Sequence, residues 1–226
     1  MLSANRLFTV ALTVALVMVS AVIHEVAHGW VAWKLGDPTA KEAGRLTLDP
    51  RAHLDGFGSI VLPLLMALMG GPVFAFARPV PYNPRRLRNA RVGELLVALA
   101  GPASNLLQAL LGTAALGLLL GAGDLAWLYT GPGWWLLEAL STYVYVNLVL
   151  CFFNLIPFPP LDGSKVVLFF LSGEARRRFY ELERYSMGIL LLVLYVLPTL
   201  LYVDPLGAYL DATAGRLYLA LVGLVM

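Results

Sequence analysis

Long apolar runs, each near the length needed to cross a bilayer, constrain this chain more than any other feature. A spanning helix needs about 20 mostly apolar residues. Four runs have about this length and composition: 7–33, 95–120, 134–158 and the shorter 187–203. The chain is 59% hydrophobic and 13% charged, whereas a soluble domain is about half apolar and about a quarter charged. The sequence therefore predicts an all-α protein that crosses the membrane several times.

Two further apolar segments are ambiguous. The segment 59–77 is interrupted by a Gly-Gly-Pro sequence at 70–72, and backbone that breaks a helix at membrane depth is tolerated only against protein or a wet cavity. The segment 206–226 is apolar but carries Asp211 and Arg216. Whether either segment spans the bilayer stays open at this point.

Basic residues are concentrated in three of the stretches between the apolar runs. Fourteen of the 16 Lys and Arg residues lie in 34–58, 78–93 and 159–186, and none lies in 121–133. The positive-inside rule predicts that the three basic stretches share the cytoplasmic side. The segment 59–77 would then enter the membrane and return, turning at its Gly-Gly-Pro sequence. The alternative is a single crossing of 59–77, which would leave one basic stretch outside.

Two simple counts exclude other classes of protein. The 16 basic and 14 acidic residues nearly balance, so the chain lacks the basic surface that nucleic-acid binding requires. Cys151 is the only cysteine, which excludes an internal disulfide and a cysteine-based zinc cluster.

The sequence His24-Glu25-Val26-Ala27-His28 lies near the end of the first apolar run. Residues four apart share a helix face, so both imidazoles can reach one metal, and Glu25 is close enough to act on a water there. This is the pattern of the His-Glu-x-x-His zinc hydrolases. The alternative is a pair of histidines that hydrogen-bond between helices. Ionisable groups inside a bilayer are rare and usually functional, which favours the metal.

A catalytic zinc usually has three protein ligands and one open position, so a third ligand is needed. His53 lies in a polar loop, where we expect a solvated side chain. Asp162 follows the proline-rich sequence 154–161, in which the prolines end the helix and leave the carboxylate free to turn inward. A plain helix-end cap is the other interpretation of Asp162. If Lys34 marks the boundary, His28 lies about 9 Å inside the membrane, and Asp162 approaches from the same side when 59–77 is re-entrant.

Two motifs, in this order and in apolar sequence, resemble the signatures of the site-2 protease family of intramembrane zinc metalloproteases. They are His-Glu-Val-Ala-His at 24–28 and Asn-x2-Pro-x4-Asp-Gly at 154–163. The segments Arg78-Pro79-Val80-Pro81 and Ala100-Gly101-Pro102-Ala103-Ser104-Asn105 are similar to family segments between the signatures. The resemblance covers about residues 7–170. Because no PDZ or nucleotide-sensing domain is expected, the chain resembles the compact prokaryotic members.

The resemblance implies a three-helix catalytic core with a re-entrant or irregular segment, followed by C-terminal helices. We expect residues 1–226 to form one membrane-embedded domain, with the core over about 7–170 and a helical part over about 171–226. It also implies one Zn²⁺ per chain, a lipid bilayer around the protein and a transmembrane-protein substrate. The expected location is a bacterial or archaeal cell membrane, with the active site toward the cytoplasm.

The site residues carried over by the resemblance are five. His24 and His28 bind zinc, Asp162 completes the site, and Glu25 is first the general base and then the general acid. Asn154 is implied as a donor to the oxyanion, with an interhelical hydrogen bond as the alternative. The predicted reaction is hydrolysis of a peptide bond within or near a transmembrane helix.

Other interpretations remain open from the sequence. A different membrane zinc hydrolase, such as a prenyl-protein protease, would pair the first motif with a glutamate on a later helix. A catalytically inactive or non-proteolytic zinc-binding membrane protein, including a metal carrier, is the other alternative. A carrier would need polar residues across the whole bilayer, whereas here they concentrate at one depth.

Several other polar or irregular residues have a simpler interpretation. We expect Ser104, Asn105, Gln108 and Asn147 to join helices, as small polar residues commonly do in membranes. A substrate helix must unwind before its carbonyls can be attacked, and an exposed strand edge could hold the unwound segment. The non-helical stretch 74–81 is the candidate for that edge.

Overall fold

The computed structural model describes residues 4–56, 61, 77–122, 125–128 and 130–225. Within these residues the regular structure is helical and there is no β-strand, which confirms the predicted all-α class. The α-helices of the described residues are α1 (Ala4–Lys34), α2 (Thr39–Glu42), α3 (Ala90–Ala122), α4 (Leu125–Leu128), α5 (Gly131–Asn154), α6 (Gly163–Phe170), α7 (Gly173–Leu191), α8 (Leu197–Leu201), α9 (Pro205–Leu210) and α10 (Arg216–Gly223). Two π-helical segments, Leu192–Val196 and Asp211–Gly215, continue α7 into α8 and α9 into α10.

Four helical stretches among the described residues are long and apolar enough to cross a membrane. They are Phe8–Lys34, Ala90–Gly121, Gly131–Asn154 and Gly173–Leu201. The protein is therefore a multi-pass membrane protein, as the apolar runs predict. The stretch 205–223 is helical but is not among these four.

The helix boundaries differ from the apolar runs for physical reasons. The third spanning helix ends at Asn154 rather than 158, because a proline-rich turn follows it. The fourth begins at Gly173, well before the predicted 187, and its first half is charged. Ion pairs one turn apart, such as Arg178–Glu174 at 3.3 Å, support helical structure there. Hydropathy marks only the apolar half of that helix.

The three helices α1, α3 and α5 form the centre of the bundle. Contacts between them show their directions. Helices α1 and α3 meet at His28–Val97 and His24–Asn105, and α1 and α5 meet at Ser20–Asn147 and Phe8–Trp135. Helices α5 and α3 meet at Tyr143–Gln108. Helix α3 is antiparallel to α1, whereas α5 is parallel to it. The C-terminal ends of α1 and α5 consequently meet at one end of the bundle.

Both flanks of the ambiguous segment 59–77 lie at this same end. The Arg78 amide donates to the His53 carbonyl at 2.8 Å, and the Arg88 amide donates to the Leu35 carbonyl at 3.0 Å. The two basic stretches on either side of the segment are therefore neighbours, as a re-entrant path requires. The predicted turn at 70–72 lies outside the described residues.

Helix α3 illustrates how the bundle is sorted into an inside and an outside. Its Asn105 and Ala109 are fully buried, while Leu107, Leu111 and Leu118 are 57%, 61% and 75% exposed. In a bilayer, leucine on the outside faces lipid and small or polar residues favour close helix contact. The polar interior of the bundle, rather than its apolar surface, is therefore where specific contacts are made.

Candidate metal centre

His24 and His28 point into one space at the C-terminal end of α1. Their Nε2 atoms lie 3.0 Å apart, as the four-residue helical spacing predicts. Asp162 Oδ2 lies 3.2 Å from His24 Nε2 and 3.3 Å from His28 Nε2. Among the described residues, these three form the group that could hold a metal ion. The structure thus brings together the three residues predicted as ligands.

The turn after α5 carries Asp162 to α1. Residues 155–162 form turns and bends, and α6 begins at Gly163. A Cβ on Gly163 would lie 2.3 Å from the Leu155 carbonyl oxygen, so only glycine lets the turn fold back on the end of α5.

A backbone carbonyl fixes the protonation of His28. Its Nδ1 lies 2.6 Å from the Val97 carbonyl oxygen. A carbonyl can only accept, so Nδ1 must carry the proton in the neutral ring. The lone pair of His28 is therefore on Nε2, which faces Asp162.

A chain of buried amides fixes His24 in the same way. Asn147 Nδ2 donates to the Tyr143 carbonyl and to Ser20 Oγ, both at 2.9 Å, which turns Asn147 Oδ1 toward Asn105. Asn105 Nδ2 donates to that oxygen at 2.9 Å, so Asn105 Oδ1 faces His24 Nδ1, at 2.6 Å. An acceptor there requires a proton on Nδ1 and leaves Nε2 of His24 free for a metal.

The sequence predicts that Asn105 and Asn147 join helices, but it does not predict that they orient His24. Both do join helices, as predicted, and Gln108 also accepts a hydrogen bond from Tyr143 across α3 and α5, at 2.8 Å. The contact of Asn105 with His24 was missed. Its signal was available in the sequence: Asn105 lies one helical turn after Gly101, within the family-like segment.

Gly101 leaves the space that the two histidines share. A Cβ at this position would lie 2.4 Å from both His24 Cε1 and His28 Nε2. Such a distance is too short for any real contact, and α3 is regular helix here, so the glycine serves space rather than backbone freedom. The site therefore includes a cradle that one methyl group would fill.

The three ligand atoms fit a zinc ion. Tetrahedral zinc with bonds of about 2.0–2.1 Å separates its ligand atoms by about 3.3 Å, close to the three separations observed. Asp162 Oδ2 is buried without a hydrogen-bond partner in the described part of the chain, apart from its close approach to the two rings. Three electron-rich atoms this close need a cation between them, and the His-His-Asp donor set suits zinc.

Glu25 faces a different partner. Its Oε2 accepts a hydrogen bond from the Val80 amide at 2.8 Å, and it is not part of the candidate ligand group. The residue is half-buried beside His24. A carboxylate next to a metal but outside its ligand set is free to exchange a proton.

Two other candidate residues lie elsewhere or make different contacts. The expectation that His53 is solvated is wrong: it is 2% exposed and its Nε2 donates to the Thr47 carbonyl at 2.9 Å. His53 is buried because the two ends of the loop 45–53 contact Arg78: Arg45 Nη2 donates to the Arg78 carbonyl, and the Arg78 amide donates to the His53 carbonyl. Asn154 Nδ2 donates to the Leu150 carbonyl of its own helix at 3.0 Å, and its role toward an oxyanion stays a prediction.

The candidate edge at 74–81 does not form a strand over its described part, residues 77–81. Arg78 and Val80 use their amides inside the protein, on His53 and Glu25. Pro79 and Pro81 have no N–H to donate. Residues 78–81 therefore have no free backbone donor for an added strand, and residues 74–76 lie outside the described part.

Comparison with known proteins gives concordant results. The profile of Peptidase family M50 matches residues 132–197, which include Asn154 and Asp162. A Bacillus subtilis (strain 168) protein named "Putative zinc metalloprotease YwhC" is 42% identical over 194 residues, 85% of this chain and 80% of the relative. "Putative zinc metalloprotease Rip2" of Mycobacterium tuberculosis (strain ATCC 25618 / H37Rv) is 33% identical over 183 residues, 81% of this chain and 66% of the relative. No solved structure matches the chain significantly.

Proposed function

Since the chain belongs to Peptidase family M50, the site-2 family of zinc metalloproteases, we propose that it cleaves a peptide bond within or near a transmembrane helix of another membrane protein. The observation that carries the proposal is the convergence of His24 Nε2, His28 Nε2 and Asp162 Oδ2 at 3.0–3.3 Å. These residues would hold one zinc ion per chain.

The position of the site supports an intramembrane substrate. His24 and His28 lie within the spanning stretch Phe8–Lys34, about 9–15 Å from its Lys34 end at 1.5 Å per residue. A metal at that depth can be reached by a peptide bond that itself lies in the bilayer. The substrate helix must unwind locally there, because its own hydrogen bonds hide its carbonyls.

The chemistry divides among a few side chains. Bound zinc would polarise the scissile carbonyl and make water a better nucleophile at neutral pH. Glu25 takes a proton from the attacking water and then gives it to the leaving amine. Asn154 Nδ2 carries a second hydrogen besides the one donated to Leu150, and that hydrogen would stabilise the oxyanion.

The proposed orientation places the metal end of the bundle toward the cytoplasm. The basic stretches 34–58, 78–93 and 159–186 support it through the positive-inside rule. In a Cys151→Ser background, Lys41→Cys and Arg85→Cys should both react with a membrane-impermeant thiol reagent from the cytoplasmic face. Thr130→Cys should react only from the opposite face. Labelling of the first two positions from the outside would show that the orientation is the opposite one. The proposed location is a bacterial or archaeal cell membrane.

We also propose that residues 1–226 act as one membrane-embedded domain. The C-terminal helices pack on the catalytic core: Ala214 shares a buried cluster with Ala109 and Val144, and the Tyr209 hydroxyl donates to the Phe152 carbonyl at 3.2 Å. A core truncated after about residue 170 should therefore lose thermal stability in detergent. Unchanged stability would separate the two parts.

The decisive experiment measures metal and cleavage together. The protein reconstituted in liposomes with a model single-span substrate should hold about one zinc per chain and cleave the substrate. Glu25→Gln should keep the zinc, because glutamate is not a ligand, and should lose at least about 10²–10⁴-fold in rate. Zinc without cleavage in the wild type would favour a non-proteolytic zinc-binding protein. Near-normal turnover of Glu25→Gln would remove Glu25 as the base.

A further inference from the structure

The irregular segment Arg78–Asn83, called the strap below, lies across the end of α1 that carries the metal site. Its amides are donors to three different partners: Arg78 to the His53 carbonyl at 2.8 Å, Val80 to Glu25 Oε2 at 2.8 Å, and Asn83 to Asp37 Oδ2. Only the middle one of these hydrogen bonds reaches a proposed catalytic group. The strap is therefore anchored at both ends and meets Glu25 at its centre.

Arg45 contacts the strap from the other side. Its Nη2 donates to the Arg78 carbonyl at 2.7 Å and makes a longer contact of 3.5 Å with the Pro79 carbonyl. Arg45 is only 7% exposed, and within the described residues no carboxylate lies within ion-pair distance of it. Burial, and then the neighbouring Arg78, lower the pKa of Arg45, while Glu25 raises it. A buried guanidinium that binds carbonyls instead of a carboxylate is costly, which points to a role.

One peptide unit connects Arg45 to Glu25. The Pro79 carbonyl, which Arg45 approaches, and the Val80 N–H, which Glu25 accepts, belong to the same planar group. A cation at the carbonyl oxygen polarises the peptide and strengthens the hydrogen bond that its N–H donates. We propose that Arg45 is a positioning residue for Glu25, acting through the Pro79–Val80 peptide. This inference rests on the proposed role of Glu25 as the general base.

Close packing keeps the strap from moving away from Glu25. Val80 is 6% exposed and packs over Gly29, which shares a face of α1 with Glu25 because the two are four residues apart. A Cβ on Gly29 would lie 2.8 Å from Val80 Cγ1 and 2.7 Å from Leu46 Cδ2. The small residue lets the strap approach the helix, and Arg45 then fixes its carbonyls.

The mechanism predicts an effect on the chemical step alone. With Oε2 fixed by Val80, Glu25 keeps one rotamer and leaves Oε1 for the water. A misplacement of about 1 Å in a catalytic group can cost about 10²-fold in rate. Loss of Arg45 should therefore lower kcat, with little change in substrate affinity or in metal binding.

The test compares five variants of the full chain in liposomes with the model single-span substrate. Arg45→Met should lower kcat about 10–100-fold, leave KM within about threefold and keep the zinc content of the wild type. Arg45→Lys, which restores one donor, should recover part of the loss. Arg177→Met is the matched control, since the Arg177 side chain is 69% exposed and its ion pairs within the described residues are with Glu174 and Glu181 of its own helix. In a Glu25→Gln background, Arg45→Met should cause no further fall, because both changes act on the same group.

A second measurement does not depend on turnover. Hydrogen exchange of a peptide that covers the strap reports on few amides, because Pro79 and Pro81 have no N–H. The Val80 amide should exchange faster in Arg45→Met than in the wild type, and at the wild-type rate in Arg177→Met. A kcat of Arg45→Met within about twofold of wild type overturns the inference. So does a result in which Arg45→Met lowers kcat by the same factor in the Glu25→Gln background as in the wild type. If Arg45→Met loses zinc, Arg45→Lys takes its place in the test, and the same two measurements are made: its kcat relative to wild type, and its effect on kcat in the Glu25→Gln background. Normal turnover of Glu25→Gln would instead overturn the proposed function.

Discussion

Two of the three candidate ligands, His24 and His28, lie within about one turn of α1 together with the proposed base, Glu25, yet the protein supports them in different ways. His24 and His28 are held by groups of regular helices: the Asn105 amide and the Val97 carbonyl, both on α3. Glu25, next to His24 in sequence, is held by the irregular strap, through the Val80 amide. Two kinds of support therefore meet within a single turn.

The difference separates metal affinity from rate. Buried amides in a packed helix bundle have low freedom and hold the imidazoles ready for the ion, so changes there should act on metal binding. The strap holds Glu25, the group proposed to exchange protons, so changes there should act on turnover with the metal still bound. The following predictions sharpen or break this division.

The largest effect is expected from removal of a ligand. Asp162→Ala should lose zinc and all cleavage above the uncatalysed background, because two histidines alone leave the site short of the three ligands that a catalytic zinc requires. His53→Ala is the control, because its buried ring holds the loop 45–53 and lies apart from the candidate ligands. Zinc content by elemental analysis is the measurement. If Asp162→Ala kept full zinc while His53→Ala lost it, the assignment of the third ligand would fail.

A single methyl group in the cradle should have nearly as large an effect. Gly101→Ala would bring its Cβ to 2.4 Å from His24 and His28, so one ring or the helix must shift. The zinc affinity should therefore fall by more than the roughly 10–100-fold that is typical when a residue that orients a metal ligand is changed. Gly121→Ala in the same helix has open space around it and should be neutral or slightly stabilising. Competition for zinc with a chelator measures both. Equal affinities would show that the cradle can widen freely.

Loss of the amide that orients His24 should have an intermediate effect. Asn105→Leu removes the acceptor from His24 Nδ1, and outer-shell changes of this kind cost about 10–100-fold in metal affinity or activity. Gln108→Leu removes the hydrogen bond that Tyr143 donates between α5 and α3, the two helices that Asn105 also joins through Asn147, and Gln108 makes no contact with a candidate ligand in the described structure. The two variants should lose similar thermal stability, but only Asn105→Leu should bind zinc more weakly. A matching loss of affinity in both would make Asn105 a purely structural residue.

The smallest effect is expected at the far anchor of the strap. Burial would raise the pKa of Asp37, but hydrogen bonds from Thr39 and Asn83 outweigh it and lower that pKa. A carboxyl with a lowered pKa in the folded state stabilises the fold above its ordinary pKa, and the stabilisation is lost as the pH falls through the folded value. At pH 7, Asp37→Asn should thus exchange strap amides faster, and its turnover should fall less than that of Arg45→Met, because Asp37 holds the end of the strap and not the Val80 amide that meets Glu25.

The same variant makes a pH prediction. The difference in thermal stability between wild type and Asp37→Asn should shrink as the pH falls below about 4, where the Asp37 carboxyl of the unfolded chain begins to be protonated. It should go on shrinking as the pH falls through the lowered pKa of the folded state. Comparing the two proteins at each pH removes the contribution of every other ionisable group, because the two proteins have these groups in common. A difference that grew toward acid pH would have the opposite sign and would exclude a charged Asp37 as the anchor.

Much of the site could be predicted from sequence because its signals are local. The spacing of His24 and His28 needs only helical periodicity, and the apolar surroundings need only composition. Asp162 is predicted because prolines end its helix beside it, and the distribution of basic stretches favours, through the positive-inside rule, which helix ends should meet. These inferences concern residues whose order along the chain already contains the geometry.

What only the tertiary structure decided is how those groups are supported. The contact of Asn105 with His24 joins residues 81 positions apart, and that of Val80 with Glu25 joins residues 55 apart. Nothing in local periodicity predicts such pairs, since a polar residue in a spanning helix can satisfy its hydrogen bonds on any neighbouring helix. His53 was misjudged for the same reason: polar loop sequence suggests solvent, but burial depends on which distant segment folds over the loop. Sequence alone determined which chemical groups the candidate site has and where they lie along the chain, whereas packing determined which backbone and amide groups hold them in place.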